Sequence, residues 1–207
     1  MKPPVFAIIL AAGTSSRMGD IKQMLPLQGK AMLQHVIDKV IKEDFTEIIT
    51  VVGHEAKRIQ AEIEGKDPRF QWKVNPDYKL GQSTSLRCGL ETVIKQAESY
   101  PCHVMVFLAD LPFLLPSTIR DVYTKGIEVA KMEDKPFIVR PSYEDVKGHP
   151  VFFGNAENLS MDVLQGDEGG KPLMSQLHKK EILPVTDEGI LLDIDHKKEY
   201  EMARKRT

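Results

Sequence analysis

The chain has 207 residues, of which 42% are hydrophobic and 28% are charged, and its formal net charge is -2. These values are ordinary for a globular domain and exclude a disordered or fibrous chain. The slight negative charge argues against nucleic acid as a partner, because domains that bind nucleic acid carry a basic excess.

Neither the cysteines nor the N-terminal region points to a special compartment. Cys88 and Cys102 belong to no CxxC pair, and the six histidines show no HxxxH or HExxH spacing, so we expect neither a zinc site nor a disulfide framework. The apolar run at residues 5–12 is too short to cross a membrane, and only Lys2 precedes it with a positive charge. We therefore expect no signal peptide and no membrane contact, and a cytoplasmic location.

Three continuous apolar runs predict strands that are buried on both faces, as in a parallel sheet. They cover residues 5–10, 47–52 and 104–108. Helical patterns lie between them at residues 32–42, 57–63 and 85–97. This alternation predicts an α/β fold, namely a single-domain, Rossmann-like, mostly parallel sheet that is flanked by helices.

After Pro112 the pattern is looser. The expected elements are a helix at residues 116–131, strands at 137–139 and 151–153, a pair of short strands at 182–185 and 190–192, and a polar helix from about residue 196. No linker or repeat divides the chain, so we expect one domain over residues 1–207. Ligands of open α/β sheets bind at the carboxyl ends of strands, which makes the loops there the candidate sites.

The loop after the first predicted strand combines small residues with two cations. It begins Leu10-Ala11-Ala12-Gly13-Thr14-Ser15 and contains Arg17 and Lys22. Small side chains let backbone N–H groups approach a bulky anion. Two cations could bind a triphosphate and stabilise a leaving pyrophosphate. The loop fits neither GxGxxG nor the P-loop, so a glycine turn with two solvated cations is the alternative.

This stretch resembles the nucleotide-binding signature of the MobA-like nucleotidyltransferases, in which Ala-Ala-Gly leads through Ser and Arg-Met-Gly to a Lys followed by Leu-Pro. The matching residues are Leu10, Ala11, Ala12, Gly13, Ser15, Arg17, Met18, Gly19, Lys22, Leu25, Pro26 and Gly29. The resemblance extends to about Tyr200. It implies a Mg²⁺-dependent enzyme that binds its nucleotide mainly through residues 1–112 and its acceptor through residues 113–207, with Arg17 and Lys22 acting on the triphosphate.

Asp110 is the first candidate metal ligand. It follows the strand at residues 104–108, where phosphates held by the first loop would converge. Mg²⁺ prefers one or two carboxylates together with phosphate oxygens. A strand-end cap before Pro112 is the alternative role. The family has an Asp at this place, and Leu111 departs from the Gln or Met that usually follows it.

A second carboxylate candidate lies in the segment Asp193-Ile194-Asp195. This segment resembles the family's Asp-Ile-Asp, whose second Asp can complete the metal site, which implies Asp195. In a short strand, alternation would put Asp193 and Asp195 on the same face, so either could serve. An N-cap of the final helix is the alternative role for Asp195.

Other segments resemble the family's substrate contacts. Gly81, Ser83 and Ser85 lie where the family places base and ribose, although Ser83 or Thr84 could equally cap a helix. The acceptor side is implied by Gly-His-Pro and Gly-Asp-x-Gly segments. Its implied residues are Arg140, His149, Asp167 and Lys171. Turns and solvated surface positions are the alternatives for these four residues.

Within the family the chain looks closest to the molybdenum cofactor cytidylyltransferases, including the type linked to purine catabolism through xanthine dehydrogenase. Ala12 stands where guanylyltransferase relatives commonly have glycine, and the Arg-Pro, Gly-His-Pro and Gly-Asp-x-Gly segments occur together. The implied reaction transfers CMP from CTP to the molybdopterin form of the cofactor and releases pyrophosphate. The implied client is a molybdenum hydroxylase such as xanthine dehydrogenase. The alternatives are a guanylyltransferase on the same cofactor, a sugar-phosphate nucleotidyltransferase, and a non-catalytic nucleotide-binding cofactor chaperone.

Overall fold

A computed structural model describes residues 3–14, 21–98 and 100–206. Strands and helices alternate through most of these ranges. The strands are β1 (Val5–Ala11), β2 (Pro26–Leu27), β3 (Lys30–Ala31), β4 (Ile48–Val52), β5 (Phe70–Val74), β6 (His103–Leu108), β7 (Phe137–Tyr143), β8 (Val146–Lys147), β9 (Val151–Gly154) and β10 (Lys179–Pro184). The helices are α1 (Met32–Val40), α2 (Ala56–Glu62), α3 (Gln82–Gln96), α4 (Pro116–Ala130), α5 (Lys171–Gln176) and α6 (Lys197–Ala203).

One sheet carries strands from both halves of the chain, in the order β10–β7–β9–β6–β1–β4–β5, with β8 paired to β7. β9 is antiparallel to both of its neighbours, and β8 is antiparallel to β7, while the other pairs of this sheet are parallel. β2 and β3 form a separate hairpin. The predicted fold class, a mostly parallel sheet flanked by helices in a single domain, is confirmed.

Helices cover both faces of the sheet, which explains why its central strands are continuously apolar. Side chains of β1 alternate between the two faces: Val5 and Ile9 pack in the core on the side of α1 and α4, whereas Phe6 and Ile8 pack in the core on the side of α3. Each fully buried aliphatic side chain of this kind contributes roughly 1.5 to 3 kcal/mol. This burial fixes the carboxyl ends of β1 and β6 side by side, and the N–H of Ala109 donates to the carbonyl of Leu10 at 3.1 Å.

The sequence did not predict every strand, and two expectations about local structure are wrong. The strand β5 at the sheet edge was not predicted, because its half-exposed residues interrupt the apolar pattern. The expected strand at residues 190–192 is absent from the described structure, and a 3₁₀ turn covers Glu188–Ile190 instead. Residues 193–195 form no strand either, so the expected strand alternation does not apply to them.

No helix within the described ranges is both long enough and apolar enough to cross a membrane.

Candidate active site

A cavity of about 750 Å³ opens where β1 and β6 end. Its walls come from both halves of the chain. The first half contributes residues 10–14, Lys22, Gly81 and Ser85, and residues 108–110 at the end of β6. The second half contributes Gly166, Asp167 and Asp195. The sequence therefore predicted much of this lining.

The small-residue loop forms one wall of the cavity. Leu10, Ala11, Ala12 and Gly13 all line it. A Cβ atom added to Gly13 would have no heavy atom within 4 Å, so this part of the loop faces open space. Ser15 and Arg17, which the sequence assigns to the same loop, lie outside the described residues.

Lys22 joins the two candidate metal ligands. Its Nζ donates to Oδ2 of Asp110 at 2.7 Å and also to Oδ1 of Asp195. The lysine side chain is only 13% exposed. Burial alone would lower the pKa of Lys22, but the charges and hydrogen bonds of Asp110 and Asp195 outweigh it, so the pKa lies above its usual value. Lys22 is thus a firmly charged ammonium at the cavity edge.

The backbone connects the two carboxylates. The N–H of Ile194 donates to the carbonyl of Asp110 at 3.2 Å, which holds the segment around Asp195 against the end of β6. Asp193 is close as well: partial burial raises its pKa, and the charges of Asp195 and Asp110 raise it further. Three carboxylates therefore share one region, and negative charge accumulates there.

Asp110 presents one carboxylate oxygen that could bind a metal ion. Its Oδ1 is buried and has no hydrogen-bond partner among the described residues. Within the same residues no group of three or more histidine, cysteine, aspartate or glutamate side chains is arranged as a metal site. Mg²⁺ in nucleotide-dependent enzymes needs only one or two carboxylates, because phosphates and water complete its shell. The donor set at Asp110 and Asp195 fits this requirement.

Asp195 is not the N-cap of the last helix. That position belongs to His196, and Glu199 accepts hydrogen bonds from the N–H groups of both Asp195 and His196, at 2.6 and 2.8 Å. Glu199 therefore fixes the backbone at Asp195, and the Asp195 carboxylate is left to contact Lys22 at the cavity.

The start of α3 differs from the expectation of a serine or threonine cap. The N-cap is Gly81, with φ of +115°, and the helix begins at Gln82. The carboxylate of Asp167 accepts from the N–H of Gln82 at 3.0 Å. Asp167, from the other half of the chain, therefore caps the start of α3. The sequence could not indicate a cap from so distant a residue.

Ser83 lies behind the cavity wall. It has no exposed surface, its N–H donates to the carbonyl of Gly166 at 3.2 Å, and its hydroxyl donates to the carbonyl of Gly169 at 2.9 Å. Of the two serines of α3 expected to contact a nucleotide, only Ser85 lines the cavity. The predicted ligand contact of Ser83 stays a prediction, and in this structure the serine links residues 166–170 to α3.

Arg140 and His149 are close to one another, but neither lines the cavity. The guanidinium of Arg140 donates to the carbonyls of Lys147 and Gly148 at 3.3 to 3.4 Å, and burial lowers its pKa. Burial and the charge of Arg140 lower the pKa of His149 to about 4. Lys171, at the start of α5, is exposed and also lies outside the lining.

Sequence reasoning missed several lining residues. Gln23, Tyr78 and Leu80 all border the cavity. Gln23 follows Lys22 in the 3₁₀ turn Lys22–Met24 and is 4% exposed. A polar residue directly after Lys22 carries no pattern of its own, and nothing in the sequence distinguished Gln23 from a surface glutamine.

A second cavity of about 700 Å³ lies beside the first and shares Leu80 and Gly166 with it. None of the residues predicted for substrate or metal lines this second cavity. The cavity at the ends of β1 and β6 is therefore the candidate active site.

The fold is of the α/β type, and the cavity lies where its neighbouring parallel strands β1 and β6 end. A family model described as "MobA-like NTP transferase domain" matches residues 7–181, and the chain belongs to that family. The expected family resemblance is confirmed.

Two relatives illustrate the range of similarity. The chain is 28% identical over 216 residues to "Purine catabolism protein PucB" of Bacillus subtilis (strain 168), and the match covers 98% of this chain and 97% of PucB. It is 30% identical over 117 residues to "Bifunctional protein GlmU" of Shouchella clausii, but this match spans 56% of the chain and only 24% of that protein.

Solved structures share the fold. Rv0371c from Mycobacterium tuberculosis H37Rv matches with a TM-score of 0.79 and 24% identity, over 100% of both chains. The structure of the same protein in complex with manganese matches with a TM-score of 0.75 and 22% identity, again over 100% of both chains.

Proposed function

We propose that this protein transfers CMP from CTP to the molybdopterin form of the molybdenum cofactor, giving the cytosine dinucleotide cofactor and pyrophosphate. The observation that carries the proposal is the meeting of Lys22 with Asp110 and Asp195 beside the small-residue loop. Full-length similarity to PucB, whose name places that relative in purine catabolism, supports the choice of a molybdenum cofactor as acceptor. The proposed compartment is the cytoplasm.

In the proposed reaction, a phosphate oxygen of the acceptor attacks the α-phosphorus of CTP. The bond from the α-phosphorus to the bridging oxygen breaks, and pyrophosphate leaves with that electron pair. Lys22, together with Arg17, stabilises the charge that builds on the triphosphate. Catalysis of this kind rests on positioning and electrostatics, with no covalent intermediate on the protein.

The nucleotide would lie against the small-residue loop and the start of α3. Residues 10–13, with Ser15, would approach the phosphates through backbone N–H groups. Gly81 and Ser85, which line the cavity, would contact base or ribose. Ser83 supports this wall from behind through its bond to Gly169.

Asp110 and Asp195 would hold Mg²⁺. The Oδ1 of Asp110, which has no hydrogen-bond partner in the described ranges, and the proximity of both carboxylates to a single cation support this choice. Asp195 is favoured over Asp193 because it shares Lys22 with Asp110. When bound, the divalent ion supplies Lewis-acid stabilisation of phosphate oxygens.

The acceptor would be held by the second half of the chain. The Arg140 guanidinium is partly buried, and no carboxylate of the described residues lies within ion-pair distance of it, so an anionic group of the acceptor is a suitable partner. His149 lies beside Arg140 and would orient that group. Lys171 and Asp167 complete the proposed acceptor side, and Asp167 in addition caps α3.

The test is turnover with purified protein, Mg²⁺, molybdopterin cofactor and each of CTP, GTP, ATP and UTP in turn. We expect the cytosine dinucleotide product and pyrophosphate with CTP. A preference for GTP would make the protein a guanylyltransferase, and turnover of sugar phosphates would make it a sugar-phosphate nucleotidyltransferase. Nucleotide binding without any turnover would make it a cofactor chaperone. Activation of a cofactor-free xanthine dehydrogenase by the product would identify the client.

A further inference from the structure

Gln23 donates hydrogen bonds to the small-residue loop. Its Nε2 donates to the carbonyl oxygen of Ala11 at 2.8 Å and to that of Gly13 at 3.1 Å. The side chain is 4% exposed. A primary amide has two N–H donors, and here both have a carbonyl partner in the same loop. The loop carbonyls therefore have a dedicated donor from another element.

The direction of these carbonyls fixes the direction of the neighbouring N–H groups. In a planar trans peptide the C=O of one residue points opposite to the N–H of the next. Because Gln23 holds the carbonyls of Ala11 and Gly13, the N–H groups of Ala12 and Thr14 are turned away from Gln23. These loop residues all line the cavity.

Carbonyl oxygens carry partial negative charge and N–H groups partial positive charge. A loop of this kind can attract an anion or a cation, depending on which groups face the ligand. We propose that Gln23 is a positioning residue that makes this loop selective for the triphosphate. It does so by engaging two carbonyls of the loop, so that their partial negative charge is directed at its amide and not at the ligand. This inference rests on the proposed function for the identity of the anion.

The same short turn also places the cation. Lys22 and Gln23 are adjacent in Lys22–Met24: the lysine contacts Asp110 and Asp195, and the glutamine contacts the loop. Gln23 thus sets the distance between the loop N–H groups and the Lys22 ammonium. An anion that binds both needs this spacing to be fixed in advance.

The test compares three ligands, CTP, cytidine and inorganic tripolyphosphate, by calorimetry on the wild type and on Gln23→Met. We expect the variant to bind CTP and tripolyphosphate about tenfold more weakly, because the loop is no longer held in its binding conformation and the lost stabilisation is similar to that of one hydrogen bond. Cytidine affinity is expected to stay within about twofold, since the carbonyls act on the phosphates. If Gln23 had a purely structural role, the variant would bind cytidine and CTP more weakly by the same factor, and that result would overturn the proposal.

The matched control is Gln34→Met. Gln34 is a half-buried glutamine whose Nε2, like that of Gln23, donates to a carbonyl, that of Glu64 at 2.9 Å, and also to Asp38, but it does not line the cavity. We expect its ligand affinities to match the wild type. If Gln23→Met does not fold, Gln23→Asn retains an amide that is too short for both carbonyls, and its loss of CTP affinity should be intermediate. Unchanged CTP affinity in a folded Gln23→Asn variant would overturn the proposal.

The outcomes separate this inference from the proposed function. A wild-type protein that binds no nucleoside triphosphate would refute the proposed function. The role of Gln23 would then be decided by tripolyphosphate alone: weaker binding in the variant supports the role, and equal binding overturns it.

Discussion

Lys22 Nζ lies 2.7 Å from Oδ2 of Asp110, across 88 positions of sequence. The contact joins the turn after the small-residue loop to the end of β6, and Asp195 contacts the same ammonium. Both side chains are largely buried, so each charge depends on the other for stabilisation. The two residues are therefore best tested as a pair.

Replacing Lys22 by Met should remove the cation while retaining the aliphatic packing. We expect pyrophosphate release to fall on the order of a hundredfold or more, because a preorganised charge next to the leaving group is lost. Lys30→Met is the control, since Lys30 pairs with Asp38 at an exposed position where an ion pair contributes about 1 kcal/mol or less. Near-normal turnover in Lys22→Met would exclude the assigned role.

Asp110→Asn keeps the shape of the side chain but removes its charge. We expect Mn²⁺ affinity, measured by electron paramagnetic resonance, and turnover to fall together, because the residue is the proposed metal ligand at the end of β6. Asp121→Asn, at an exposed position of α4, serves as the control. Chelation by EDTA should abolish wild-type turnover, and added Mg²⁺ should restore it. Wild-type Mn²⁺ binding in Asp110→Asn would contradict the proposed site.

His149 should make the protein sensitive to acid. Its pKa is about 4 in the folded protein against an ordinary value of 6.5, so between these values the unfolded chain binds the proton and the folded one does not. The stabilisation is complete above pH 6.5 and is lost as the pH falls toward 4, by at most about 3 kcal/mol.

The measurement for His149 is the urea midpoint at pH 7, 6 and 5, for the wild type and for His149→Gln. The variant lacks the titrating group, so its stability should fall less over this range. Parallel curves for the two proteins would show that His149 does not cause the acid sensitivity.

Gly81→Ala should be strongly destabilising. A Cβ atom there would lie 2.1 Å from the carbonyl oxygen of Gly166, and φ is +115°. Steric overlap and backbone strain together predict a loss of about 2 to 4 kcal/mol in the free energy of unfolding. Gly166→Ala has positive φ, +64°, but no heavy atom within 4 Å of the added Cβ, so about 1 kcal/mol is expected. Equal urea midpoints for the two variants would refute the steric argument.

The sequence predicted the centre of the fold better than its edge. β1, β4 and β6 are buried on both faces, so each appears in the sequence as a continuous apolar run. Such a run can be recognised without knowing which strands lie beside it. β5 is an edge strand that, among the described strands, pairs with β4 alone. Its apolar and polar residues are mixed and Lys73 is exposed, so its sequence resembles that of a loop.

The candidate site shows the same division. Lys22 and Asp110 were predictable, because each lies in a motif next to a recognisable strand. The capping of α3 by Asp167 and the contact of Gln23 with the loop depend on tertiary packing alone. The burial of Ser83 could not be predicted for the same reason: its partner, Gly169, comes from a distant loop that no local pattern connects to it.

The tight fit of Gly81 under residues 166–170 has a consequence for homologue recombination. A chimera that takes the segment around Gly81 from one relative and the loop around Gly166 from another would join two surfaces shaped for different partners. The two segments that meet at this contact need to be exchanged together, even though more than eighty positions separate them in the chain.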